Sequence, residues 1–207
     1  MNKSSKPSTV EDGSHLDIGG GDVPRNPYNM KFVHCVDTRS IPSSDLPKNI
    51  SYKKSNFVTA RLPYSDNSFD SVSAYDVIEH IPRQIMDLNG EMIYPFISLM
   101  NEIYRVLKPN GLFLATTPGY PRAEAFQDPT HVNIITTGTL QYFSGSKPEG
   151  RMYGFTGNFD VLINRFCVRS NYFDRGLSSR TIWIRRWHRK LFKSGWPHLV
   201  WELKARK

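Results

Sequence analysis

Four stretches of this chain hold residues whose types and spacing could do chemistry. Asp17-Ile18-Gly19-Gly20-Gly21 follows the short apolar run His15 to Ile18, and three successive glycines let a backbone turn sharply and meet a ligand with no Cβ in the way. Asp37 ends a second apolar run, Phe32 to Val36, and a carboxylate there in a doubly wound sheet accepts hydrogen bonds from two ribose hydroxyls. Glu79-His80 comes just past a later run, and Asp128-Pro129-Thr130-His131 past another. Beyond the carboxyl ends of parallel strands either histidine could take a proton from a hydroxyl, with Asp128 holding His131 in the tautomer a base needs. His80 would serve equally as a structural hydrogen-bonding group at a helix start. As metal ligands, Glu79 and His80 are two of mixed type with no further cluster in sequence, too few for a site, so no metal is expected.

A glycine loop alone is as well explained by a tight turn, and a lone aspartate at a strand end by a turn residue; their combination favours a ligand. A dinucleotide loop needs a third glycine for close helix packing and a helix N-terminus for the pyrophosphate. Here the third position is Val23, followed by Pro24-Arg25-Asn26-Pro27, and the link from Gly21 to Phe32 is too short for a full crossover helix. A nucleoside without phosphates fits better.

The elements that must position these residues follow from apolar periodicity. Strands are expected at His15 to Ile18, Phe32 to Val36, Ile50 to Phe57, Asp70 to Tyr75 and Leu112 to Thr116. Phe96, Leu99, Met100, Ile103 and Leu107 share one face of a helix from about Pro95 to Leu107, stopped by Lys108-Pro109-Asn110-Gly111. Strand, helix, strand in this order predicts a parallel sheet. Residues 118–150 read as a long excursion over the ligand face. Phe159 to Phe173 holds strand-like stretches, Thr181 to Lys193 a helix, and His198 to Lys204 a last strand. Residues 1–13 are polar and expected to be mobile, leaving 14–207 as a single domain with no internal repeat.

The chain has 207 residues and a formal net charge of +8. Twelve Lys or Arg stand against Asp174 and Glu202 over 165–207, so the remainder carries a small negative charge. The aromatic, basic stretch Thr181 to Lys193 could be a surface helix that solvates its charges, or a contact with anionic headgroups peripheral to a membrane. Nucleic acid ranks last, because no recognisable binding motif accompanies it. Met1 to Val10 lacks an apolar segment of the signal-peptide kind, and Cys35 and Cys167 lie in separate apolar stretches, where buried free thiols are expected rather than a disulfide or a metal pair. These features point to a cytoplasmic protein.

The series Asp17-Ile18-Gly19-Gly20-Gly21, Asp37, Leu62-Pro63-Tyr64-Ser65-Asp66-Asn67-Ser68-Phe69-Asp70, Tyr75-Asp76-Val77-Ile78-Glu79-His80-Ile81 and Glu102 to Gly111 resembles the successive motifs of class I S-adenosylmethionine-dependent methyltransferases, especially the type-11 group. Residues 125–133 and Arg151-Met152-Tyr153-Gly154-Phe155 also resemble a narrower bacterial group associated with surface polysaccharide clusters. The resemblance implies a Rossmann-like α/β fold, doubly wound, with a seven-stranded, mostly parallel sheet and one antiparallel strand near the C-terminus. It implies S-adenosylmethionine as cofactor, with Asp17 and the Gly19–Gly21 loop at its methionine end, Asp37 on the ribose, Asn56 and Phe57 near the adenine, and Asp76, Val77 and Ile78 lining the pocket. Glu79, Tyr120 and Tyr142 are the candidates to face the acceptor, with His131, His80 and Asp128 as the catalytic set. The expected reaction is O-methylation of a sugar or glycan hydroxyl. An RNA or small-metabolite methyltransferase and a non-catalytic module keeping the fold are the alternatives.

Overall fold

Strand β1, Glu11–Ile18, is the centre from which the sheet is built. It pairs in parallel with β2, Met30–Asp37, on one side and with β4, Phe69–Tyr75, on the other. The computed structural model describes residues 11–40, 46–167 and 197–207. Strand β3, Ile50–Lys54, lies outside β2. Beyond β4 come β7, Leu107–Pro118, then β9, His198–Ala205, and β8, Phe159–Cys167, at the far edge. The seven strands run in the order β3-β2-β1-β4-β7-β9-β8, with β9 antiparallel to both its neighbours. This is the expected α/β sheet with its single reversed strand. A small hairpin of β5, Ile85–Met86, and β6, Met92–Ile93, stands apart from it.

Helix α1, Pro95–Val106, starts with proline in its first turn, where the missing N–H costs nothing. Phe96, Leu99, Met100 and Ile103 are buried against the sheet as their spacing predicts. The helix passes straight into β7: Leu107 already pairs with Phe69, residues 108–111 bulge out with Asn110 at φ 63°, and pairing resumes at Leu112. Arg105 on α1 holds the loop before β4, donating to the Tyr64 carbonyl at 2.8 Å and pairing with Asp66 at 2.8 Å, while Glu102 accepts from the Leu62 N–H at 2.8 Å.

The structure shifts several expected limits. Residues 11–13, read as part of a mobile leader, belong to β1 and pair with β2 from Glu11. β3 ends at Lys54, because Ser55 onward turns away and the backbone of Thr59 and Ala60 bonds back to Asn56. No helix lies between β1 and β2; residues 19–29 are turns, in keeping with the short link. Both cysteines are buried. The excursion after β7 contains the short helix α2, Glu124–Gln127, and two 3-10 turns, Thr137–Tyr142 and Glu149–Tyr153. The helix expected at 181–193, and the end of the strand-like stretch beyond 167, lie outside the described residues. Among those described, no helix is long and apolar enough to cross a membrane.

Candidate active site

The glycine loop bends directly off the end of β1. The Gly19 N–H bonds to the Val36 carbonyl at 2.8 Å, and with φ 68° a Cβ there would stand 2.5 Å from Val77 Cγ2. At Gly20 a Cβ would meet Asp17 Oδ2 at 2.5 Å and Cys35 Sγ at 2.8 Å. The cradle is thus shaped by what surrounds it, and side chains are shut out of it. Asp17, expected to touch the cofactor, is instead fully buried beneath the loop. Its Oδ2 accepts from the Arg25 N–H at 2.7 Å and its Oδ1 from the Ser73 hydroxyl at 2.5 Å, so it braces the loop from below. Burial pushes its carboxyl up to about 6, against the pull of these donors.

Asp37 sits at the tip of β2 beside the loop. Gly21 N–H donates to its Oδ2 at 3.2 Å, while Arg39 donates from its backbone at 2.9 Å and from Nε at 3.2 Å to Oδ1. Burial alone would raise this carboxyl, but the Arg39 guanidinium and the two N–H groups hold it below the usual range. The Arg39 side chain is 66% exposed. Two hydroxyls of a ribose could displace that guanidinium and keep both carboxylate oxygens satisfied, which makes Asp37 and the cradle a fit for an adenosine group.

The adenine assignments fare differently. Phe57 is buried in the main core, and the Asn56 amide oxygen accepts from the Val58 N–H at 3.2 Å, capping its own turn. The Asn56 amide oxygen and the Phe57 ring thus serve the turn that follows β3, while Asn56 itself stays exposed. Val77 and Ile78 also pack in the core, behind the loop. Asp76, at φ 54°, lines a cavity past the end of β4.

That cavity, of about 500 Å³, lies past the carboxyl ends of β4 and β7 and is lined by Asp76, Glu79, His80, Asp128, His131 and His198 among others. Its halves come from distant sequence. Glu79 and His80 lie on a 3-10 turn, Ile78–His80. The 128–133 loop is tied to it through the Val132 and Asn133 N–H groups, both 2.9 Å from the Glu79 carbonyl, and through Asn133 Nδ2, 3.0 Å from the Ile78 carbonyl. The His80 and His131 rings consequently meet edge to face, 4.8 Å between centroids. Asp128, expected to orient His131, stands 3.9 Å from its Nε2, beyond hydrogen-bond reach. It caps the Thr130 N–H at 2.8 Å and hydroxyl at 2.7 Å instead, and the Ala125 carbonyl lies 3.2 Å from His131 Nδ1. Glu79 is only 1% exposed, and burial, with the charges of Asp76 and Asp128 nearby, pushes its carboxyl up to about 8.

Of the two tyrosines, neither borders this cavity. Tyr142 lines a separate aromatic pocket with Tyr94 and Tyr153, and Tyr120 is half-exposed with its ring against Phe126. Sequence reading missed His198, whose Nε2 lies 3.3 Å from Asp76 Oδ1. Its signal was its place at the start of a strand paired antiparallel to β7, opposite Pro118. It missed Arg39 as well, since nothing in the pattern marks a partner two residues past Asp37.

Residues 16–115 match the family model for the methyltransferase domain. This stretch, just under half of the chain, is similar to that methyltransferase domain. A sterol 24-C-methyltransferase, erg6, of Aspergillus fumigatus is 37% identical over 76 residues, which make up 37% of this chain and 16% of that enzyme. An S-adenosylmethionine dependent methyltransferase from Mesorhizobium loti shares the fold at TM-score 0.57 and 13% identity, over 94% of this chain and 92% of the other. A SAM dependent methyltransferase from Archaeoglobus fulgidus does so at TM-score 0.54 and 14% identity, over 96% and 88%.

Proposed function

We infer that the protein transfers a methyl group from S-adenosylmethionine to a hydroxyl of a sugar or glycan, of the kind found in surface polysaccharides. The carrying observation is the chemistry of the cavity next to Asp76: carboxylates and histidines line it, at the strand ends where sheets of this type bind ligands. Sugar hydroxyls can donate to those carboxylates. RNA phosphates would be repelled by them, and a sterol would leave them desolvated without partners.

When bound, S-adenosylmethionine brings a methyl group already activated on its sulfonium. The chain's own residues have to hold and orient. Gly19–Gly21 admits the ligand, Asp37 accepts from its ribose, and the wall of Val77 and Ile78 keeps water from the loop side. At the acceptor, a histidine nitrogen turned to the cavity is placed to receive the hydroxyl proton. With Nδ1 facing the Ala125 carbonyl, His131 has Nε2 available for that role.

Methyl transfer from labelled S-adenosylmethionine, assayed on nucleotide sugars, glycans, RNA and small metabolites, tests the acceptor class. Sugar or glycan products support the reading, and transfer to RNA alone overturns it. For the cofactor, Asp37→Ala should weaken S-adenosylhomocysteine binding in calorimetry by about 100-fold or more, since it removes two hydrogen bonds to a charged group worth about 1.5–3 kcal/mol each. Unchanged affinity would remove Asp37 from the site.

A further inference from the structure

We propose that Glu79, His80 and His131 form a binding site for a divalent transition-metal ion at the floor of the acceptor cavity. Each offers one ligand atom, and the three atoms lie within 4.8 Å of one another. Ligands about 2.0–2.1 Å from a zinc-sized ion stand somewhat closer than that, so a modest inward turn of the side chains closes the site.

Two further observations point to a ligand. Glu79 is almost fully buried, yet among the described residues neither carboxylate oxygen has a well-formed hydrogen bond. The donors nearest it are its own N–H and the Thr117 hydroxyl, which also faces the Pro118 carbonyl at 3.4 Å. A buried carboxylate so poorly supplied with donors is costly, and a cation in the cavity would offset that cost. Both histidines are also held through Nδ1. His80 Nδ1 lies 3.0 Å from the Thr130 hydroxyl and 3.3 Å from the Thr130 carbonyl, and His131 Nδ1 lies 3.2 Å from the Ala125 carbonyl. An Nδ1–H bound to an oxygen fixes the tautomer that leaves Nε2 as a lone-pair donor, the usual outer support of a metal-bound histidine.

Two imidazoles and one carboxylate favour zinc, manganese, iron or cobalt over magnesium and calcium, which prefer oxygen ligands throughout. Three protein ligands leave positions open toward the cavity, where an acceptor hydroxyl or water would bind; with the ion in place His131 Nε2 is a ligand rather than the base, and the ion would lower the pKa of the hydroxyl so that its proton passes to water. That role deepens the methyltransferase reading and rests on it; binding of the ion does not.

The test uses the full chain, freed of metal by a chelator, and titrated with Zn²⁺ by calorimetry and with Co²⁺ by visible absorption. One ion per chain and a cobalt ligand-field band are expected. Glu79→Gln, His80→Gln and His131→Gln should each weaken Zn²⁺ binding by about 100-fold or more, and Thr130→Val, which removes only an outer partner, by about 10-fold. Glu79→Gln keeps the size and shape of the buried side chain, so its circular dichroism should match that of the unaltered chain and loss of fold cannot explain its result. Asp37→Ala should keep Zn²⁺ affinity while losing cofactor, which separates failure of this site from failure of the methyltransferase reading. No bound ion, affinity unchanged by the three ligand substitutions, or an equal loss in His34→Gln, on β2 away from the cavity, would overturn the site.

Discussion

The two faces of the sheet solve the problem of burial in opposite ways. On the face that receives α1, Leu16, Ile18, Val72, Ala74, Phe113, Leu199, Trp201 and Leu203 are buried in one apolar cluster. On the other face the same strands bury polar groups beside a smaller apolar cluster that includes Tyr75, Leu114 and Val200. His15, Asp17, Ser71 and Ser73 are fully inaccessible there, and Tyr28 OH donates to Glu202 at 3.2 Å. Ser71 and Ser73 each lie 2.8 Å from a nitrogen of His15, and Ser73 passes its proton to Asp17 at 2.5 Å. Because Ser73 donates to Asp17, it accepts from His15 Nε2–H, which fixes the tautomer and leaves Nδ1 to accept from Ser71. The apolar face depends on volume and the polar face on pairing. The glycine loop that Asp17 braces therefore rests on the polar face.

Three substitutions would break or sharpen this contrast. Trp201→Ala, on the apolar face, should cost about 3–5 kcal/mol through lost burial and the cavity left behind, read as a lowered denaturation midpoint. Ser73→Ala removes little volume but leaves Asp17 Oδ1 and His15 Nε2 without their partner; about 1–3 kcal/mol should be lost, together with affinity for S-adenosylhomocysteine as the loop loosens. A loss of stability with cofactor affinity intact would show that the polar face does not support the loop.

The smallest effect is a change of pH slope. Burial holds His15 down at about 3 and Asp17 up at about 6. For His15, whose folded value lies below its unfolded one, acid is destabilising from about pH 6.5 downward. For Asp17, whose folded value lies above its unfolded one, acid relieves a burial cost from about pH 6 down to about 4. Between those limits the folded chain carries one proton, on Asp17, and the unfolded chain carries one, on His15, so the pair contributes no slope. His15→Gln leaves Asp17 alone. Its stability relative to the unaltered chain should then rise by up to about 1.4 kcal/mol per pH unit as the pH falls from 6 to 4. Parallel curves for the two proteins would show that the two groups do not offset each other.

The apolar face was legible because alternation records it: Leu16 and Ile18, Val72 and Ala74, and the α1 stripe all read as core and are core. The polar face was not, since serine and histidine at alternate positions look like solvent-facing residues until the sheet stacks β1 against β4. The same limit affected the site. Asp37 and the glycine bend stood out by type and position, and the structure sets them side by side. Asp17 looked like a ligand contact, and only its burial shows it to be a brace. Asn56 and Phe57 were placed by resemblance, and local turn geometry gave them other partners.

By itself the sequence determined the order of the main strands, the sharp bend at Gly19–Gly21 and the end of α1, because each follows from local backbone freedom and short-range periodicity; the seven-stranded sheet with its reversed strand came from the family resemblance. Only the tertiary structure decided which distant side chains meet. His80 and His131 touch because the loop carrying one is hydrogen-bonded to the turn carrying the other. Glu79 brings a carboxylate oxygen within 4.8 Å of ring nitrogens on both, and His198 reaches Asp76 from the reversed strand. Such contacts are set by packing across strands, and a linear pattern holds no record of them.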